Sequence, residues 1–336
     1  MIEGLLHEPA GLRNFGIFFF LAVLFLFFIL AFVTYAILAE RKVLGFMQLR
    51  YGPNHVGGKW GLLQTAADVL KLLIKEDIIP KLADRPLFIL APVIAFAPAF
   101  MVLAVIPFTD HMQFADIGIG LLYYIAVSGI TTVGVVTAGW ASNNKYSLIG
   151  GMRAAAQMIS YEIPLVMSVV GIILLSGSLN LNDIVAAQQD FWFILLQPLA
   201  FIIFVIASVS ELNRTPFDLP EAESELVAGY HTEYSGFRWA FFMLAEYVYL
   251  FAMSAITTVL FLGGWLPLFS FLDFIPGAVW FALKFSVVIY VLIWIRATFP
   301  RMRADHLMEF GWKVLLPLAL ANIFITAIAK ELFKLI

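Results

Sequence analysis

The amino-acid sequence predicts an all-α integral membrane protein, a bundle of eight transmembrane helices with a surface amphipathic helix in the first inner loop. Three observations carry this expectation. Hydrophobic residues fill 62% of the 336 positions and charged residues 13%, whereas a soluble domain carries about 25% charged residues; the mean hydropathy is +0.95. Eight apolar runs come close to the roughly 20 residues that cross a hydrocarbon core. Lysine and arginine, finally, gather in alternate loops.

In order, the runs lie at roughly 15–38, 87–107, 118–139, 155–175, 191–210, 239–262, 278–295 and 314–333. The first is too long for a signal h-region and no small-residue cleavage pattern follows it, so it is expected to be a retained span. No internal repeat, low-complexity tract or domain-sized linker separates the runs, so one polytopic membrane domain covers residues 1–336. Successive loops hold eight basic residues (Arg41, Lys42, Arg50, Lys59, Lys71, Lys75, Lys81, Arg85), none, two (Lys145, Arg153), none, two (Arg214, Arg238), none and four (Arg296, Arg301, Arg303, Lys313). The positive-inside rule puts these elaborated loops on the cytoplasmic side and both termini outside. A protein whose charged surface lies on one side is built to dock something there.

Composition also excludes chemistry. With no cysteine the chain supplies neither a thiolate to an iron–sulfur cluster nor a disulfide. Its histidines (His7, His55, His111, His231, His306) all fall outside the apolar runs, so none is placed to hold a haem within a bundle. No bound cofactor or metal is expected in this chain.

Charge patterns single out the candidate functional residues. Where the first span ends, ERKVLGFMQLRYGPN (Glu40 to Asn54) sets Glu40, Arg41 and Lys42 beside an Arg-Tyr-Gly-Pro turn at Arg50; basic anchors are ordinary there, the glutamate is not. Trp60 to Asp77 is too short and polar to span, yet Gln64, Asp68, Lys71 and Lys75 recur on one helical stripe. That predicts an amphipathic helix over 60–76 in the membrane surface, its stripe facing water or a polar cavity. In GWASNNKYSLIGGMRAAAQMISYEIP, Arg153, Gln157, Ser160 and Tyr161 lead to Glu162 just before Pro164.

Glu246 lies about two turns into the sixth span, where a carboxylate is costly to bury and points to a protein interior or a water path. Lys284 in the seventh has a stem long enough to snorkel to the outer face. The fifth loop, ELNRTPFDLPEAESELVAGYHTEYSG, crowds Glu211, Asp218, Glu221, Glu223, Glu225 and Glu233 around Arg214. Crowded carboxylates titrate as coupled groups, which suits proton handling; a solvated acidic loop is the plain alternative. RATFPRMRADHLMEFGW then concentrates Arg296, Arg301 and Arg303 at the inner face.

Taken together these strings, in this order, resemble the quinone-site membrane subunit (the H subunit, or subunit 1) of proton-pumping NADH:quinone oxidoreductase, respiratory complex I. They depart visibly at Tyr51, where many relatives carry Lys. The resemblance implies eight membrane helices that support a peripheral arm, with quinone as substrate and with iron–sulfur clusters and FMN in partner subunits. It implies a quinone chamber on or near which Glu40, Arg41, Arg50, Asp68, Arg214, Glu221, Glu223, Glu225 and Arg296 lie. It implies further that Glu162, Glu211 and Glu246 begin a charged path toward antiporter-like subunits, so that proton coupling rests on Glu211, Glu223, Glu225, Glu162 and Glu246. The implied partners are the peripheral-arm quinone-site and terminal-cluster subunits, the adjacent small membrane subunits and lipid, in a bacterial plasma membrane rather than a mitochondrial inner one. A membrane-bound hydrogenase or formate hydrogenlyase subunit shares the fold; the intact QLRYGPN turn and the fifth loop favour complex I. A stand-alone ion carrier would place its charges near the midplane of repeated halves, and neither feature is present.

Overall fold

The computed structural model of the chain describes residues 12–220, 223–268 and 274–333, which are helical apart from turns and one isolated bridge between Thr109 and Met112. The chain divides into two compact units, one ending at Lys75 and the other beginning at Glu76.

The first unit holds α1 (Leu12–Met47) and α2 (Gln64–Ile74). No proline or glycine interrupts residues 17 to 44, so α1 continues past the expected end at 38. Its 36 residues measure about 54 Å at 1.5 Å each, well beyond a hydrocarbon core of about 30 Å. The chain then folds back: Leu49 adopts φ 54° and the Arg50 amide donates to the Gly45 carbonyl at 2.9 Å. Gly45 lets the returning chain approach closely, since a Cβ would stand 3.0 Å from the Gly52 nitrogen. Of the expected 60–76, residues 64 to 74 form α2, which exposes Leu70, Leu73 and Ile74 and buries Thr65.

The second unit is a helical bundle. α3 (Arg85–Met101, extended by a 3-10 turn to Val105) starts with a proline in its first turn, where the missing N–H costs nothing. α4 (Gly120–Ala141) packs against it through Gly134, where a Cβ would meet the Ala95 nitrogen at 2.7 Å. α5 (Lys145–Ser176) is capped by the Asn144 side chain and ends on left-handed Gly177; it passes α4 closely, a Cβ on Gly151 lying 3.3 Å from the Gly139 Cα. Small residues at such crossings are what apolar helices use to approach without a hydrophobic drive.

Short helices α6 (Leu181–Ala186) and α7 (Phe193–Leu196) lead to α8 (Pro198–Glu211). After α9 (Glu223–Leu226), α10 (Gly236–Phe261) runs through the middle of the unit and is its most buried long helix. α11 (Gly277–Thr298), α12 (Ala304–Phe310) and α13 (Leu316–Phe333) complete the chain, a π turn joining the last two where Tyr161 donates to the Leu307 carbonyl at 2.9 Å.

Among the described residues seven helical stretches are long and apolar enough to cross a membrane: Phe15–Met47, Arg85–Val105, Gly120–Ala141, Lys145–Ser176, Gly236–Phe261, Gly277–Thr298 and Ala304–Leu332. In place of the fifth expected span, 191–210, the helix breaks at Gln197 (φ −131°, ψ 51°) and restarts at Pro198. Proline lacks the donor to continue a helix and disfavours helical geometry before it. The 14 residues of α8 reach only about 21 Å, and the freed Gln197 side chain bonds Thr326 and Asn322 on α13 instead.

Lys284 does not snorkel. Its ammonium is buried and donates to the carbonyls of Leu262, Gly264 and Leu266 at 2.6, 3.1 and 2.6 Å, over the ring of Trp192. It thereby satisfies the open end of α10.

Candidate functional site

The most distinctive polar feature of the second unit is an internal cavity with two carboxylates on its wall, Glu211 and Glu246. Local sequence explains how they meet. α8 ends on Glu211; Asn213, at φ 50°, takes the left-handed geometry that asparagine tolerates. The reversed chain then places the Arg214 Nε 2.7 Å from Glu246 Oε1, with the guanidinium 4.7 Å from the Tyr247 ring centre. Gln157 on α5 secures the turn, its amide donating to the Ser210 and Phe217 carbonyls, both at 2.7 Å.

Around the two carboxylates the lining alternates polar and soft apolar groups. Ser128, Thr131 and Val135 come from one face of α4, and Phe242, Ala245, Glu246, Tyr249 and Met253 from one face of α10. The Tyr249 hydroxyl hydrogen-bonds that of Thr131. About 40 Å³ of the cavity is open to the centres of water-sized molecules, enough for more than one water. Glu211 Oε2 is shielded and meets no donor among the described residues. Glu162 lies on α5 against Gly129 of α4, close enough for its charge to act on Glu211. Carboxylates this near one another in apolar surroundings interact more strongly than they would in water.

Outside the spans, Glu225 accepts from Arg153 at 2.7 Å. That hydrogen bond, with the charges of Arg301 and Arg303, holds its carboxyl below the usual range. His231 is buried against Tyr230 and Phe242, and burial pushes its imidazole down to about 3. In the first unit Arg41 Nη1 stands 2.5 Å from Asp68 Oδ2, and Arg50 donates to Gln48 at 2.7 Å. Glu40 is buried, and Arg296 occupies the last turn of α11, half-buried. Glu221 lies outside the described residues, as does the side chain of Glu223.

A model of the NADH dehydrogenase family matches residues 20–327. The H subunit of NADH-quinone oxidoreductase from Bacillus thuringiensis (strain Al Hakam) is 78% identical over 333 residues, spanning 99% of this chain and 100% of that protein. The corresponding H subunits of Bacillus cereus (strain AH187) and Bacillus anthracis (strain A0248) match to the same extent. The chain belongs to the family of NADH-quinone oxidoreductase H subunits.

For this family member, the structure brings Glu162, Glu211, Glu246 and Arg214 together, whereas Glu225 stands apart at the surface with Arg153. Ser128, Thr131, Tyr230 and Tyr249 were not singled out in the sequence. Two signals were present: Ser128 and Thr131 are polar at i,i+3 within an apolar span, and Tyr249 follows Glu246 at i+3.

Proposed function

We propose that the chain forms part of the quinone-binding chamber of proton-pumping NADH:quinone oxidoreductase and couples quinone reduction to proton translocation through Glu162, Glu211 and Glu246, with Glu223 and Glu225 at the rim. The observation that carries this reading is the water-sized cavity walled by Glu211 and Glu246, with Glu162 beside it, inside an apolar bundle. Reducing a quinone creates negative charge, and a linked set of carboxylates responds to such a charge by taking up or passing on protons.

The chamber residues in this reading are Glu40, Arg41, Arg50, Asp68, Arg214, Glu221 and Arg296, with α2 resting in the membrane surface on its exposed leucines and Ile74. The short helix α8 serves as an eighth span, and the basic loops face the bacterial cytoplasm, both termini opposite. Partner subunits supply the electron donors, FMN and iron–sulfur clusters, since this chain has no thiolate to offer.

Glu211→Gln in the intact complex tests the coupling. It keeps size and hydrogen bonding but cannot titrate, so quinone reductase turnover and proton pumping should fall together. NADH oxidation by an artificial acceptor that bypasses quinone should be retained in the same membranes. Wild-type quinone reduction and pumping in that variant would sink the reading.

A further inference from the structure

Two adjoining hollows of about 610 and 580 Å³ lie where α4 turns into α5, and they share Leu82, Asn143, Asn144 and Lys145. Each falls within the roughly 300–1,000 Å³ of small-molecule sites. The lining carries charge of both signs in equal number: Lys81 and Lys145 against Asp84 and Glu233. None of the four is in an ion pair among the described residues; Glu233 accepts from the Asn144 amide at 2.6 Å, and Lys145 stands 5.3 Å over the Tyr146 ring. Balanced charges that leave one another unpaired around one hollow suit a ligand that itself carries both signs.

The surroundings say what kind of ligand. Leu122, Ile130, Val133 and Trp140 form one exposed apolar stripe down α4, and Trp140 is also part of the hollow's wall. From Ile130 to Trp140 the stripe measures about 15 Å, half of a hydrocarbon core of about 30 Å. Tryptophan favours the headgroup level, where its ring is half in lipid. The part from Ile130 to Trp140 is therefore the length of one leaflet and ends at the charged hollow, while the whole stripe from Leu122 measures about 27 Å.

We propose that this groove is a binding site for an aminophospholipid, phosphatidylethanolamine being the chemical match. Its phosphate diester sits between Lys81 and Lys145, with the Asn143 amide in reach. Its primary ammonium, with three donors, sits between Asp84 and Glu233, and one acyl chain follows the α4 stripe past Trp140. A choline headgroup, having no N–H, would give Asp84 no donor and Glu233 none beyond Asn144; an anionic glycerol headgroup would leave both carboxylates repelled.

The test uses the whole complex, purified in mild detergent from membranes and exchanged into nanodiscs containing equal phosphatidylethanolamine, phosphatidylcholine and phosphatidylglycerol. Lipid retained after delipidating washes is quantified by mass spectrometry. Phosphatidylethanolamine should be enriched in the wild type and should fall to the bulk ratio in Asp84→Asn and in Lys145→Ala. The Asp84 side chain makes no cap hydrogen bond on α3, so Asp84→Asn leaves the helix start as it is, and co-purification of each variant chain with the whole complex shows that it is assembled. Enrichment of phosphatidylglycerol, or of phosphatidylethanolamine equally in both variants, would overturn the site. So would an amine-directed cross-link from Lys145 to another subunit in high yield, because a protein would then fill the groove.

Discussion

Arg214 and Glu246 form a 2.7 Å ion pair in which the guanidinium is 2% exposed and the carboxylate 20%. Burying two charges gains little by itself, yet removing one of them strands the other at a cost of about 3–5 kcal/mol. Glu246→Ala should therefore lower the amount of assembled complex in membranes, read on native gels, far more than Glu246→Gln, which keeps an acceptor for Arg214. Equal loss in both variants would mean that charge, not the hydrogen bond, holds this corner.

Helix contact in the bundle is equally testable. A methyl on Gly134 would meet the Ala95 backbone at 2.7 Å, and overpacking of this kind costs about 1–3 kcal/mol. Gly134→Ala should depress the dissociation temperature of the complex measurably. Gly118→Ala, with nothing within 4 Å of the added carbon, should leave it unchanged.

These two sites also mark what the sequence disclosed. Glu246 is legible because a carboxylate in an apolar run has few reasons to be there, and most long spans follow from hydropathy. Gly134 is not, since its role depends on which helix lies opposite. The break at Gln197–Pro198 is a local competition between hydropathy, which reads through it, and backbone chemistry, which does not. Tyr249 and Thr131 escaped because their polarity is spent on each other, and Lys284 because its partners are carbonyls that every residue carries.

His231 sets a pH dependence. The imidazole has a pKa near 6.5 in an unfolded chain and about 3 in the fold, where burial disfavours its charge. Between those values the unfolded chain binds the extra proton, so stability rises with pH through that window. The contribution is complete above about 6.5 and is lost progressively as pH falls below it. Thermal dissociation followed from pH 7 to pH 5 should show a steeper fall for wild type than for His231→Gln. Parallel curves would show that other groups control the acid response.

The Arg41–Asp68 pair separates stability from binding. Its side chains are 45% and 34% exposed, and exposed ion pairs are worth about 0–1 kcal/mol, less in salt. Arg41→Ala should thus leave the protein assembled in its complex and the bypass activity intact, so any kinetic change reports on the quinone passage. If Arg41 shapes that passage, the apparent KM for a short-chain quinone should rise more than kcat falls, because an interaction made alike by substrate and transition state has been removed. Asp68→Asn, which frees Arg41 from its partner without deleting it, should shift KM less than Arg41→Ala does. Steady-state titration of quinone in the same membrane preparations decides it: an unchanged KM with lowered kcat would assign Arg41 to the chemistry, and no change in either would remove it from the chamber.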